Sequence, residues 1–251
     1  MTARPGEEDE ESTPDGTRVL RHEVPVEGAD ELSGGDPALI EAVSAHVERH
    51  LGPVGQVYHE FISPTVHVDL LEVPATGERP FQVVVTCGMA ELPMRPPETM
   101  AEFTHTELFA LLPPDWPLDD EALNDERNYW PLRTLKFLAR VPHLFDTWLW
   151  VGHTIPNEDP PEPYAEGTEL CGALLMPPML VPEGFEVLER PDGAPIHFLL
   201  LMPLHADEMQ LKLDKGLEAL YDRFDAADLS PIIDPARPST VQRRRKRFGL
   251  F

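Results

Sequence analysis

The stretch VHVDLLEV, residues 66–73, decides the fold class of this chain. Polar and aliphatic side chains alternate at its start, which places His67 and Asp69 on one face of a strand and aliphatic residues on the other. Short runs that are likewise apolar or alternating, and that are bounded by proline or glycine, cover residues 57–62, 81–87 and 107–112. Because these runs follow one another closely, they predict strands paired as hairpins.

A helix is predicted before these strands. Asp36 suits the N-cap, and Pro37 suits the first helical position because its missing N–H would have no intrahelical partner there. Apolar residues then recur every three or four positions as far as Leu51, and Gly52 followed by a proline marks the end. The pattern indicates an amphipathic helix that can pack on a sheet.

Two more helices are predicted in the C-terminal half. Pro131 can open a helix whose apolar stripe continues to Ala139, and a break is expected near Pro142. A final helix from about Ala206 carries apolar residues at helical spacing as far as Phe224.

The remaining segments complete the predicted fold. Residues 170–176 and 196–204 read as buried strands, whereas residues 152–163 are polar and turn-rich and read as a long surface loop. Strands cluster in hairpins and do not alternate strictly with helices, so a doubly wound parallel sheet is disfavoured. We therefore predict an α+β fold, in which a mixed, mainly antiparallel sheet packs against helices in a single domain.

The charge of the chain limits its partners. It has 45 acidic and 20 basic residues, a formal net charge of −25. Such a body repels a polyanion within about one Debye length, roughly 8–10 Å, so nucleic acid is a disfavoured partner. The same charge favours fast association with a basic protein.

The two ends of the chain differ from the body. Residues 1–35 are acidic and poor in apolar side chains, which predicts a disordered leader before a domain at 36–235. Residues 236–251 form a basic tail that could bind nucleic acid, an anionic partner or the acidic surface of its own chain. The tail contains a run of five consecutive cations, Arg243, Arg244, Arg245, Lys246 and Arg247.

Nothing in the sequence predicts secretion or a membrane segment. The N-terminus has no apolar signal core, and no run of about 18 apolar residues occurs. The two cysteines, Cys87 and Cys171, match neither a disulfide scaffold nor a zinc-binding spacing. A cytoplasmic location is therefore expected.

His67 and Asp69 are the strongest candidates for chemistry. They could be two metal ligands, or a base with its orienting carboxylate. No third ligand is identifiable, and the familiar motifs of hydrolases, nucleotide-binding proteins and metalloproteases are absent. We predict no cofactor and no catalysis. The alternative is an enzyme or metal-binding protein that uses His67, Asp69 and His153, and it requires these side chains to converge in a pocket.

Three methionines allow two interpretations. Met176, Met179 and Met202 could line an adaptable binding surface, because the flexible thioether chain adjusts to different shapes. In apolar strands they could equally fill the core. The sequence leaves both interpretations open.

Segments throughout the body resemble, in order, those of the suppressor of fused domain in its bacterial form. The resemblance implies a protein-binding function without catalysis. Animal members look like two-domain proteins that bind Gli transcription factors, and only their first domain has a counterpart in this sequence. Some bacterial members look like immunity proteins of polymorphic toxin systems. The matching segments include VHVDLLEV at 66–73, ERPF at 78–81, VTCGM at 85–89, LPPDWP at 112–117, TWL at 147–149, GHTIPN at 152–157 and PYA at 163–165.

By this resemblance, the chain is expected to be an immunity or regulatory protein that neutralises or sequesters a protein partner. In animal members an acidic residue precedes the histidine of the matching loop and contributes to holding the partner peptide. Gly152 occupies that position here, so the same binding mode does not carry over. The alternative is that His153 and Asn157 only fix the loop. The expected partner-binding residues are Gly152, His153, Thr154, Asn157, Asp159 and Tyr164.

Overall fold

A sheet that runs through the middle of the molecule organises the fold. The computed structural model describes residues 12–16, 19–20, 32–60, 63–190 and 193–241. Most of the predicted leader and the five consecutive cations at 243–247 lie outside these residues. The strands are β1 (Leu32–Ser33), β2 (Val57–Tyr58), β3 (Ser63–Pro64), β4 (Asp69–Val73), β5 (Gln82–Cys87), β6 (Thr106–Leu112), β7 (Thr154–Pro156), β8 (Leu170–Met176), β9 (Val187–Leu188) and β10 (Ile196–His205).

The large sheet has eight strands in the order β2-β4-β5-β6-β10-β8-β7, with β9 paired to one end of β10. Strands β6 and β10 run parallel, and the other described pairs of this sheet are antiparallel. β1 and β3 form a separate two-stranded sheet. The predicted α+β fold with a mixed, mainly antiparallel sheet is confirmed.

Four α-helices flank the sheet: α1 (Pro37–Leu51), α2 (Glu126–Leu144), α3 (Ala206–Lys215) and α4 (Leu217–Ala227). The bounds of α1 match the prediction, and the Asp36 carboxylate accepts a hydrogen bond from the Ala38 N–H at 2.9 Å. None of the helices in the described residues is long and apolar enough to cross a membrane.

The other two predicted helices differ from their patterns. α2 begins five residues before Pro131 because Asp125 caps it, with its carboxylate accepting from the Arg127 N–H at 3.0 Å. It also continues through Pro142 as far as Leu144, and the side chains of Val141 and Pro142 are both buried. The single final helix is two helices, α3 and α4, separated by Gly216 with φ +88°.

Helices cover both faces of the sheet. On β10, Leu199 and Leu201 point into a core shared with α2. The alternate residues point to the opposite face, where Phe198 contributes to the core under α1 and Met202 to the core under α3 and α4. The period of two along one strand therefore divides the interior between two helical layers.

A buried carboxylate ties the end of β5 to β6. Glu107 is fully buried and accepts hydrogen bonds from the backbone N–H groups of Gly88 and Ala90, at 2.9 and 3.0 Å, and from the Thr86 hydroxyl at 2.6 Å. Burial raises the pKa of Glu107 to about 7, although these donors oppose the shift. Gly88 has φ +125°, and a Cβ there would lie 1.9 Å from the His67 carbonyl oxygen. Only glycine is compatible with this close approach.

Part of the predicted basic tail contacts the body. Arg237 is buried and forms an ion pair with Glu208, with Nη1–Oε1 and Nη2–Oε2 distances of 2.8 and 2.5 Å. Its guanidinium also donates to the Pro203 carbonyl at 2.7 Å. The same carboxylate accepts from the His205 N–H and so caps α3. Within the predicted leader, Asp15 accepts from the Leu217 N–H at the start of α4.

Candidate partner-binding surface

Strand β7 lies within the segment 152–163 that the sequence presents as an irregular loop. It pairs antiparallel with β8, with Ile155 opposite Ala173, and it ends the described order of the large sheet. The Asn157 N–H donates to the Cys171 carbonyl at 2.8 Å. Because backbone groups alternate in an antiparallel ladder, Thr154 and Pro156 direct theirs away from β8. No described strand pairs with this outer edge.

An exposed aromatic ring stands beside the β7 edge. Phe137 of α2 has 45% of its surface exposed, and it lines a shallow cleft together with Ile155, Pro156 and Asn157. Arg133 fixes the helix to the loop, because its guanidinium donates to the Tyr164 carbonyl at 3.0 Å and to Glu126 at 2.6 Å. An open strand edge and an apolar anchor therefore lie side by side.

The six predicted binding residues differ in accessibility. Gly152 and Tyr164 are buried, Asp159 is exposed, and His153, Thr154 and Asn157 are partly buried. The Tyr164 ring stacks on Trp130 with a centroid distance of 4.8 Å, and burial raises the pKa of its hydroxyl. Tyr164 therefore supports this surface from within, and its contact with a partner stays a prediction. Phe137 was missed by the sequence analysis, because a single apolar residue on the polar side of a helix gives no periodic signal.

His153 and Asn157 both fix the loop. The His153 Nδ1 atom accepts a hydrogen bond from the Trp150 N–H at 3.3 Å, and the ring packs edge-on against Trp148. Burial, together with the nearby charge of Lys212, lowers the pKa of His153 to about 4. The Asn157 amide donates to the Glu162 carbonyl at 2.9 Å. These contacts match the loop-fixing alternative, and they leave the outward backbone groups of β7 unused.

A second cluster contains the predicted pair His67 and Asp69. Asp69 is buried and bridges two imidazoles, with Oδ1 at 2.9 Å from His67 Nε2 and Oδ2 at 2.9 Å from His59 Nδ1. His59 was not singled out from the sequence, although the register of β2 with β4 places it opposite Asp69. The bridging carboxylate can orient both imidazoles.

His153 does not join this cluster. It precedes β7 at one end of the sheet, whereas Asp69 begins β4, five strand spacings away in the described order. At about 4.8 Å per spacing the separation is roughly 24 Å. The convergence that the enzyme alternative requires is therefore not present. No group of three or more His, Cys, Asp or Glu side chains in the described residues is arranged to hold a metal ion.

Comparison with known proteins assigns this architecture to a family. A sequence profile described as Suppressor of fused protein (SUFU) matches residues 64–238. The chain belongs to the suppressor of fused family. No curated protein sequence matches the chain significantly.

Solved structures of suppressor of fused proteins share the fold. A homologue from Neisseria gonorrhoeae superposes with a TM-score of 0.60 at 18% identity, over 83% of this chain and 100% of that one. Suppressor of fused in the Sufu–Fu complex gives a TM-score of 0.53 at 13% identity, over 80% and 92%. The Drosophila protein gives 0.50 at 13% identity, with 80% of this chain covering 50% of that one.

The glycine at position 152 has a structural cause. Gly152 has φ +86°, and a Cβ at this position would lie 2.8 Å from the Leu217 Cδ2 atom of α4. An acidic side chain would require both a strained backbone and movement of Leu217.

We expect the Asp69 cluster of this suppressor of fused domain to bind no stoichiometric metal, because no group of three or more ligating side chains among the described residues is arranged to hold an ion. Elemental analysis of protein purified without added metal checks this. The matched variant is His67→Ala. Zinc, iron or manganese at one equivalent in the wild type and absent from His67→Ala would contradict the expectation.

Proposed function

We propose that this suppressor of fused domain binds a protein partner at the free edge of β7, without catalysing a reaction. The observation that carries the proposal is the outward edge of β7 beside the exposed Phe137 ring. An extended partner segment that adds to such an edge gains main-chain hydrogen bonds, and a neighbouring cleft gives side-chain specificity. A large aromatic residue is the usual anchor near the centre of an interface.

The absence of convergent chemistry supports binding over catalysis. Among the described residues, His67 and Asp69 lie far from His153, so the three side chains that the enzyme alternative requires do not share a pocket. Ordered packing supports the same conclusion, since β7 pairs with β8 and the Asn157 amide ties the end of β7 to the Glu162 carbonyl. A preformed edge binds with a smaller loss of conformational entropy than a loop that must first become ordered.

We further propose that the partner is a basic protein and that the domain is an immunity or regulatory protein that sequesters it in the cytoplasm. The net charge of −25 would speed the encounter with a basic partner at low salt. Cys87 and Cys171 are both free and buried, as suits a reducing compartment. Neutralisation by occlusion needs only that the bound domain cover the active surface of the partner.

Phe137→Ala is expected to weaken partner binding about thirtyfold, the equivalent of the roughly 2 kcal/mol that marks an interface hot spot. Partners are first isolated from native lysate by pull-down, and affinity is then measured with the purified partner. Leu92→Ala is the matched control, because Leu92 is 41% exposed and does not line the cleft.

Thr154→Pro distinguishes binding at the strand edge from binding in the cleft. It removes the outward N–H of Thr154, whereas Thr154→Val keeps that N–H and removes only the hydroxyl that accepts from Lys212. Weakened binding for Thr154→Pro alone, with an unchanged circular dichroism spectrum, indicates strand addition. If Phe137→Ala and Thr154→Pro both bind as the wild type does, the edge is not the site. If no protein is retained and a turnover assay succeeds, the enzyme alternative replaces the proposal.

A further inference from the structure

A groove lined by methionines lies away from the β7 edge. It is formed by the end of β8, the segment after it, β10 and α4, and it encloses about 500 Å³. This volume is in the range of typical ligand pockets. We call it the methionine groove. Its apolar wall includes Met176, Met179, Met202, Tyr221 and Phe224, and its rim includes Asp225 and Asp228.

The groove has the properties of a binding surface and not only of core filler. Met179 is 40% exposed, and thioether side chains can adapt to an incoming apolar group. The Tyr221 hydroxyl is buried and has no hydrogen-bond partner among the described residues. A buried polar group without a partner costs about 1–3 kcal/mol, so the site favours an occupant that also offers a backbone carbonyl.

The acidic rim favours an occupant that carries positive charge. The segment 217–234, which includes α4 and the rim, contains five carboxylates and one cation, Arg223. A fitting occupant therefore combines cations with apolar side chains. Residues 242–251, with the sequence QRRRKRFGLF, have five consecutive cations followed by three large apolar residues within four positions.

We propose that the methionine groove binds residues 242–251 of its own chain. Phe248, Leu250 and Phe251 would contact the methionines and the aromatic wall, and the cations of the tail would face the carboxylates of the rim.

The end of the described chain lies within reach of the groove. Val241 packs against the same apolar cluster that contains Met202 and Phe224. Ten residues follow it, and an extended chain spans about 3.3 Å per residue, or roughly 33 Å. α4 has 11 residues and is therefore about 16 Å long. The tail can pass along the whole groove.

Attachment to the same chain makes even weak contacts effective. A short flexible connection gives an effective concentration in the millimolar range. A peptide that binds at about 100 μM when free would therefore fill the groove in roughly nine molecules of ten when tethered. The consequence is regulatory, because a partner segment of the same basic and apolar character has to displace the tail.

Methionine methyl spectra of the full-length protein test the proposal. The chain has eight methionines, of which three line the groove. The triple variant F248S/L250S/F251S keeps every cation of the tail but removes its apolar anchors. We expect it to shift the methyl signals of Met176, Met179 and Met202, because ring currents from the two phenylalanines are lost. The signals of Met89 and Met94, buried under α2, should not move and serve as internal controls.

A charge variant and a competition experiment complete the test. Asp225→Lys should release the tail and shift the groove signals, whereas Asp222→Lys changes the charge of α4 equally from an exposed position outside the groove lining. A labelled synthetic peptide of residues 242–251 should bind the triple-serine variant about tenfold more tightly than the wild type.

Several outcomes would overturn the proposal. Identical groove signals in the wild type and the triple variant would show that the tail does not contact the methionines. Equal effects of Asp225→Lys and Asp222→Lys would show only a general attraction to the acidic body. Groove signals that change on hundredfold dilution would assign the occupant to the tail of a second copy. Peptide affinity that is equal for the two proteins would leave the groove open to an outside partner.

Discussion

Replacing Arg237 by methionine is expected to lower the free energy of unfolding by about 3–5 kcal/mol, the usual cost of removing one partner of a buried ion pair. Without the guanidinium, the carboxylate of Glu208 is left buried with an unbalanced charge, although it keeps the backbone N–H groups of His205 and Thr240. The Pro203 carbonyl also loses its donor. The effect is large because the lost partner compensates a charge that water cannot reach.

Thermal and urea denaturation measure this loss, which corresponds to a decrease in Tm of about 10 °C for a protein of this size. Arg223→Met is the matched control, since Arg223 is exposed on α4, and its effect should be within about 0.5 kcal/mol. A chain that ends before Arg237 should lose more stability than Arg237→Met, because it also removes the Thr240 N–H that donates to Glu208. A chain that ends after Val241 keeps the ion pair. Equal stabilities of Arg237→Met and Arg223→Met would contradict the assignment.

Glu107 is expected to make the protein less stable as the pH rises from about 4.5 to about 7. Burial raises the pKa of Glu107 from 4.5 to about 7 in the folded state. The folded state therefore holds a proton that the unfolded state releases in this range. The stability that protonated Glu107 contributes to the folded state is complete below pH 4.5 and decreases as the pH passes through 7. A shift of this size corresponds to about 3 kcal/mol.

The comparison of wild type with Glu107→Gln isolates this effect. Other groups act in the opposite direction, because burial lowers the pKa values of His105 and His153 to about 4 and their contributions decrease as the pH falls below 6.5. Denaturation of both proteins between pH 4.5 and 8 should show a difference that changes by about 3 kcal/mol. Thr86→Val should extend the loss of stability to higher pH, since it removes a donor that opposes the rise in the pKa of Glu107. A pH-independent difference would contradict the assignment.

Local signals predicted much of the fold. Asp36, Pro37 and Gly52 lie at the ends of α1 as expected, because capping depends on the backbone within one turn. The strands around Asp69 and Leu108 follow from alternation and β-branched content. The start of α2 also had a local signal in Asp125, but Pro131 gave a stronger one, and the sequence cannot rank two caps without knowing which apolar stripe meets the sheet.

The candidate surface could be predicted only in part. The segment around Gly152 was identified through family resemblance, yet the three residues of β7 are too few to show a period. Tyr164 was expected at the surface, and its burial on Trp130 depends on a partner 34 positions away in the chain. Phe137 and the methionine groove likewise result from tertiary packing. Arg237 was assigned only to the basic tail, because its partner Glu208 belongs to a different element.

The parallel pairing of β6 with β10 has a kinetic consequence. His197 lies opposite Thr106, about 90 positions earlier in the chain. On the two sides of this parallel pair, β4 pairs with β5 and β7 pairs with β8, and these strands are close in the chain. Closing a loop of that length costs about 4 kcal/mol of chain entropy before any contact compensates it. Hairpins on the two sides can form by local zippering, but the two halves must meet by diffusion. The centre of the finished sheet, its most protected part, is therefore expected to be the last part to assemble.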